Sequence, residues 1–446
     1  IVPLVIEQTL AMTVGMFDTM MISSVGEAAV SGVSLVDMVN MLLINLFAAL
    51  ATGGAVVTSQ FIGGRDRKSA CDSARQLMIL SLIASLLIMT AALLLRRPIL
   101  RLLFGAIEDD VMDSAMTYFF WSALSYPFLA IYNSGAALFR SIGNSKIPMY
   151  SSLVMNVLNI GGNALLLFVV HLGVAGVAIA SLISRAVAMA IVLFLLSNRE
   201  NLVYLDLREK FRVEWGMMKR ILHIGIPSSV ENSLFQLGRV LVVSIIATFG
   251  TVQIAANAVA NSYDALGCIP GSAMNLAMIT VVGQAVGAKR YREAKRYAKN
   301  FIFLIMGAHF LICFPMLVFL PHIIGLYHVS EQTAELARII CTLHGLCCVL
   351  IWAPSFALPN ALRAADDVTF AMCITIMSML LCRIAMSFVL GRYLGMGLIG
   401  VWIAMVLDWA VRGVIYAGRM ASGGWLKQHK RLAARQEAEK AVLQNT

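Results

Sequence analysis

Long apolar runs separated by short polar turns recur along the whole chain. Six lie at about 1–24, 35–62, 74–95, 114–139, 147–170 and 174–197, and six more at about 220–248, 257–286, 297–320, 335–361, 368–391 and 397–420. A helix needs roughly 20 residues to cross the hydrocarbon of a bilayer, so the pattern predicts twelve membrane-spanning helices. Leu77–Leu95 is the plainest, broken only by Ser and Thr, with Phe301–Leu320 beside it. Other runs carry Gly, Ser, Asn and acids, as helices do when they line an internal cavity and not lipid on every side. Strand-length alternation of apolar and polar positions is missing, which excludes an outer-membrane barrel.

The pattern also repeats. Pro3, Glu7, Gly26, Gln60, Gly63, Gly173 and Gly176 recur as Pro227, Glu231, Gly250, Gln284, Gly287, Gly397 and Gly400, each 224 residues later. Leu138-Phe139-Arg140 finds its counterpart in Leu362-Arg363 with a shift of one. Six spans per copy is an even number, so the copies share one topology and are related by a pseudo-twofold axis along the membrane normal. The expected organisation is a first lobe over 1–198, a cytoplasmic linker over 199–219, a second lobe over 220–423 and a basic tail over 424–446. Two like bundles with a ligand bound between repeats is transporter architecture.

Two acids in the first run stand out. Glu7 and Asp18 are eleven residues apart, which returns them to within roughly 20° on one helix face, about 16 Å apart along it. Ala11, Val14 and Gly15 lie between them and would leave a groove. An ionisable group in a span costs roughly 2.5–3.5 kcal/mol on insertion scales. Two readings follow: structural acids paired with a buried arginine or the backbone, or a protonatable, cation-binding stripe facing a cavity.

Composition and charge narrow the class. With 60% hydrophobic and 13% charged residues, the chain falls far below the roughly 25% charge of soluble domains. The net charge of +10 sits in alternate loops, which hold 26 of the 34 Lys and Arg residues. That is the positive-inside pattern, with both termini cytoplasmic, and it accounts for the charge without nucleic acid. The protein is expected in the cytoplasmic (inner) membrane as a multi-pass protein, its first span retained and not cleaved as a signal peptide. Arg185 is expected near a cytoplasmic end, snorkelling. The tail residues Lys427, Lys430, Arg431 and Arg435 suit either an amphipathic helix on anionic lipid or a solvated tail.

Eight cysteines lie mostly inside apolar runs without a Cys-x-x-Cys pair, and the seven histidines make no metal-ligand pattern, so neither disulfides nor a metal site is expected. Gln60-x-x-Gly63-Gly64-Arg65 and Gln284-x-x-Gly287-Ala288-Lys289 end the second and eighth spans. Glycine at a helix end followed by cations fits capping and macrodipole logic. A phosphate cradle would need a preceding strand and a following Gly-Lys-Thr/Ser, so ATP coupling is not indicated.

Read together, these stretches resemble the multidrug and toxic compound extrusion (MATE) family of antiporters. The matching segments are Pro3-Leu-Val-Ile-Glu-Gln, Gly15-Met-Phe-Asp-Thr, Gln60-Phe-Ile-Gly-Gly-Arg, Ile226-Pro-Ser-Ser-Val-Glu, Val282-Gly-Gln-Ala-Val-Gly-Ala-Lys, Leu358-Pro-Asn-Ala-Leu-Arg-Ala and Gly400-Val-Trp-Ile-Ala-Met-Val-Leu-Asp-Trp. The resemblance spans the chain and implies two six-helix lobes opening alternately to each side. It marks Asp18 as the cation-coupling aspartate, with Glu7 on the same stripe and Asn159, Asn163 and Ser181 as partners from spans five and six. Many relatives carry a second aspartate where Asn163 stands, which leaves Na⁺ selectivity in doubt. A Na⁺ at Asp18, Asn159 and Asn163 and a proton on Asp18 are the alternatives, with H⁺ favoured. The acids that one branch of the family carries in spans seven and ten correspond here to Phe235 and Trp352, so that second ion site is missing.

The remaining intramembrane charges, Asp37, Glu231, Arg239, Asp264, Arg383 and Asp408, are read as cavity lining or a buried network. Arg239 is expected to pair with Glu231 or Asp264, Arg383 with Asp408, and Asp37 is expected at the outer mouth. The implied function is a secondary antiporter, not an enzyme, exporting amphiphilic, cationic organic compounds against H⁺ or Na⁺. No cofactor beyond that ion is expected, the partners are small-molecule substrates and membrane lipids, and the family expectation is a monomer. A lipid-linked saccharide flippase of related architecture is the rival, favoured by a strongly cationic cavity. A membrane-embedded enzyme, a channel and a receptor are more distant alternatives.

Overall fold

The computed structural model describes residues 1–105, 108–206, 213–431 and 434. Arg208, Lys210 and Arg212 of the linker, and Arg435 of the tail, lie outside the described residues. Among the described residues all regular structure is helical. The order is α1 (Val2–Ile22), α2 (Glu27–Gly63), α3 (Arg67–Phe104), α4 (Asp109–Ser141), α5 (Lys146–Ala164) and α6 (Gly173–Leu196). Then follow α7 (Trp215–Ala247), α8 (Thr251–Gly267), α9 (Ile269–Gly287), α10 (Tyr291–Val318) and the short α11 (Leu320–Gly325). The chain continues as α12 (Glu331–Cys347), α13 (Ala353–Phe356), α14 (Leu358–Ala364), α15 (Val368–Ser378) and α16 (Gly397–Ser422).

Several rods are composite. A π-helical segment, Leu165–Val169, extends α5, and another, Cys348–Trp352, joins α12 to α13 and α14. Two more, Met379–Ala385 and Ser387–Tyr393, extend α15. The expected eighth span is α8 and α9 with a break at Cys268. Counting these joined pieces as one, and the short α11 with α10, the described residues form the twelve rods that the apolar pattern predicts. Ten helices are long and apolar enough to cross a membrane by length and composition. The rods outside that set are α1 and α4, which carry polar positions used below.

Two compact units result, Ile1–Ser229 and Val230 onward, so the division falls inside α7 instead of in the 199–219 connection. The reason is local. A Cβ on Gly53 of α2 would stand 2.7 Å from the Ile221 carbonyl oxygen, so only glycine lets the first half of α7 approach so closely. Arg67 fastens the connection to α3 by donating to the carbonyls of Arg199, Asn201 and Leu202. The core of the first unit includes Val36, Phe47, Phe119 and Tyr126; that of the second includes Met278, Cys341, Ala357 and Trp409.

The basic turns close alike in both copies. Gly64 N donates to Gln60 O at 2.9 Å and Asp66 N to Phe61 O at 3.0 Å; Ala288 N donates to Gln284 O and Arg290 N to Ala285 O, each at 2.9 Å. Gly63 and Gly287 are the last helical residues, and the left-handed position falls to Arg65 (φ 61°) and Lys289 (φ 59°). A cation there sits on the negative end of the helix dipole, which offsets the strain of a non-glycine residue at positive φ. Beyond α16, residues 424–431 are helical and docked. Trp425 is buried beside Tyr291, and His429 Nδ1 lies 2.9 Å from Asp366 Oδ2.

Candidate ion site in the first unit

Asp18 sits on the fifth turn of α1 and meets α5. Asn163 Nδ2 donates to Asp18 Oδ1 at 2.5 Å and contacts Asn159 Oδ1 at 3.3 Å, while Asn159 Nδ2 donates to Ser181 Oγ of α6 at 2.9 Å. The four residues therefore form one continuous relay across three helices. Asn159 and Asn163 are four apart, one helical turn, which stacks them on the α5 face. The α5–α6 contact is close because both sides are small: a Cβ on Gly162 would lie 2.9 Å from Ala180 Cβ. Asn163 Oδ1 is buried with no hydrogen-bond partner among the described residues, leaving an oxygen acceptor free beside the carboxylate.

A second polar layer lies close by. Asn40 Nδ2 donates to Asp37 Oδ1 at 3.2 Å, and Tyr126 Oη donates to Asn40 Oδ1 at 2.7 Å. Arg185 Nη1 donates to Ser125 Oγ at 2.6 Å and acts electrostatically on both Asp18 and Asp37. Arg185 is thus inside the unit and does not snorkel to a cytoplasmic end. Its stem runs along α6 on the side that faces α4, where Ser125 gives it a partner.

Glu7 does not join Asp18. Its Oε1 accepts from Arg140 Nη1 of α4 at 2.7 Å, with both side chains largely buried. The repeat builds the same pair again: Arg363 Nη2 of α14 lies 2.7 Å from Glu231 Oε2 of α7. Thr375 Oγ1 adds a bond to Glu231 Oε1 at 2.8 Å and contacts Tyr416 Oη at 2.7 Å. Arg140 and Arg363 therefore reach into the units, although loop charge alone had absorbed them. The spacing signal was present, since Glu7–Glu231 and Arg140–Arg363 both repeat.

The other charges of the second unit separate into distinct groups. Asp408, fully buried, lies 3.0 Å from Arg412 Nη2 and 4.0 Å from Arg383 Nη1, and its Oδ1 accepts from Ser378 Oγ at 2.5 Å. Arg412 is a missed residue; Asp408 and Arg412 at i, i+4 were the available clue. Asp264 lies 2.9 Å from His344 Nε2, apart from the Asp408 group. Among the described residues Arg239 forms no ion pair with Glu231 or Asp264, although it acts electrostatically on Asp264; it lines one cavity with Arg383, Asn257 and Asn261. Phe235 is flanked by the guanidinium groups of Arg383 and Arg412, 5.4 and 5.5 Å from its ring centre, while Trp352 stacks on Phe356. The positions corresponding to a second ion site thus hold an arginine–aromatic stack.

The family model described as MatE matches residues 3–165 and again 227–389, the two copies lying 224 residues apart as the repeat requires. The chain belongs to the MatE family. Among curated relatives of this MatE chain, an uncharacterized transporter, YisQ of Bacillus subtilis (strain 168), is 27% identical and covers 96% of this chain and 94% of its own. A probable multidrug resistance protein, NorM of Thermotoga maritima, is 24% identical over 95% of this chain and 91% of its own. Among solved structures, a multidrug resistance MATE family transporter of the MOP superfamily in an outward-facing conformation superposes with a TM-score of 0.87. It is 23% identical and covers 96% of this chain and 95% of that one, which establishes the fold. This MatE chain is an all-α, multi-pass membrane protein of a transporter family.

Proposed function

We propose that this MatE protein is a secondary antiporter that exports amphiphilic, cationic organic compounds, with a proton taken and given up at Asp18. The observation that carries the reading is the relay Asp18–Asn163–Asn159–Ser181. It gives one carboxylate hydrogen-bonding amide and hydroxyl partners, with Arg185 and Asp37 acting on it electrostatically, and a group so placed can be held either charged or protonated. The Asn163 amide N–H supports the carboxylate; when Asp18 takes a proton, the free Asn163 Oδ1 is an acceptor within the same layer. Na⁺ would need several oxygen ligands at once, and here Asn163 turns nitrogen towards Asp18 and Asn159 spends its oxygen on Asn163. Proton coupling is favoured for that reason.

Coupling follows if proton and substrate each bind the two conformations unequally. A proton arriving at Asp18 from outside favours substrate release, and substrate binding favours inward release of the proton. The protein acts as a monomer in the cytoplasmic membrane with both termini on the cytoplasmic side, its basic turns against anionic lipid. The second reading, a flippase for lipid-linked saccharides, is favoured by Arg239 and Arg383 in one cavity. Loaded proteoliposomes separate the two: efflux of a cationic dye driven by imposed ΔpH and indifferent to ΔNa⁺ is expected. Dye retention with translocation of a pyrophosphate-linked lipid saccharide would replace the antiporter by the flippase.

A further inference from the structure

One cluster in the second unit has no part in this reading. Cys268 stands at the break between α8 and α9, and Cys348 opens the π-helical segment after α12. These two irregular points converge, with their sulfurs 3.9 Å apart. His344 lies one helical turn before Cys348, and the ligand atoms of Cys268, His344 and Cys348 all fall within 4.8 Å of one another. Cys348 is fully buried and the His344 side chain 1% exposed. Both ring nitrogens of His344 are buried with no hydrogen-bond partner among the described residues.

The spacing matches coordination chemistry. With metal–sulfur bonds of about 2.3 Å in a tetrahedral site, two thiolate sulfurs stand about 3.8 Å apart. A disulfide would need about 2.05 Å, so the spacing is that of two separate sulfurs. Asp264 Oδ1 accepts from Cys268 Sγ at 3.1 Å and lies 2.9 Å from His344 Nε2, so the carboxylate stands beside two of the three ligands. His309 Nδ1, 3.7 Å from Cys348 Sγ, backs the second sulfur. The rings of Trp402 and Trp409 stand 5.4 Å from that of His344, while Asp264 is 27% exposed. A π-helical segment beside a broken helix is a recurrent feature of functional sites.

We propose that Cys268, His344 and Cys348 bind one thiophilic divalent cation, of the class of Zn²⁺, with its fourth position open towards Asp264. Binding displaces the two thiol protons, so two thiolates and a neutral imidazole answer the charge of the ion. The ion pins the α8–α9 break to the π-helical segment that follows α12, tying together two irregular points of this unit. The site is independent of Asp18, so its failure would leave the antiporter reading intact.

The test uses the full chain, purified and stripped with a chelator, then titrated with Zn²⁺ and with Co²⁺ as a spectroscopic stand-in. About one equivalent per chain is expected, with a thiolate-to-Co²⁺ charge-transfer band. Both should vanish in C268S/C348S and persist in C373S, which removes an exposed thiol elsewhere. Should the double variant not fold, alkylation of the intact protein decides: Zn²⁺ should slow labelling of the partly exposed Cys268 by about tenfold or more, the occupancy change of ~1.4 kcal/mol, and leave Cys373 unchanged. Absence of the thiolate band, unchanged labelling, or a Cys268–Cys348 disulfide in the purified protein would each overturn the proposal.

Discussion

The two units share a frame and differ in what fills it. Both place a glutamate of their first helix against an arginine of their fourth, Glu7 with Arg140 and Glu231 with Arg363. The 224-residue offset then sets Asp18 against Val242, Asn159 against Arg383 and Ser181 against Met405. Val242, Arg383 and Met405 line one cavity with Arg239, so the position that holds a carboxylate relay in the first unit holds arginines in the second. The lesson is that the repeated ion pair belongs to the shared frame, and the unrepeated residues distinguish the two units. At equivalent points the first unit carries Asp18 and Asn159 where the second carries Val242 and Arg383.

Removing one partner of the repeated pair tests the scaffold role and should have the largest effect on stability. Arg140→Ala and Arg363→Ala each leave a buried carboxylate unpaired, a loss of about 3–5 kcal/mol. Thermal unfolding in detergent should show both variants similarly destabilised. A large loss in one and none in the other would break the equivalence of the units. A smaller effect is expected where only the second unit has its arginine–aromatic stack. Phe235→Leu keeps the apolar bulk but removes the ring between Arg383 and Arg412, costing about 0.5–2 kcal/mol. The corresponding α1 position, Ala11, has no ring to lose, so Ala11→Leu should not mimic it by the same measurement.

Much of this arrangement was legible in the chain. Twelve apolar runs and the 224-residue offset give the helices and their duplication, because lipid demands long apolar helices and the motif positions survive in both copies. Asp18, Asn159, Asn163 and Ser181 come together as their motif positions imply. What stayed hidden was chosen by tertiary approach. Arg140, Arg363 and Arg412 count as cytoplasmic cations in a tally of loops, yet each turns inward to a carboxylate. Arg185 reads as a snorkelling residue until α4 supplies Ser125. The Cys268, His344 and Cys348 cluster joins positions eighty residues apart, and only the i, i+4 pair of His344 and Cys348 was visible. The break at Cys268 follows Gly267 and precedes Pro270 and Gly271, a breaker signal that the surrounding apolar run covers.

The central claim is that the coupling proton resides on Asp18 and on no group of the second unit. Its most direct test is substrate-evoked proton release from proteoliposomes carrying the intact protein, Asp18→Asn, and Asp18→Asn combined with Val242→Asp. The account predicts proton release and dye transport in the intact protein and loss of proton release in both variants, because an acid at position 242 faces Arg383 and lacks the amide relay. Proton release undiminished in Asp18→Asn, or restored by Val242→Asp, would contradict it.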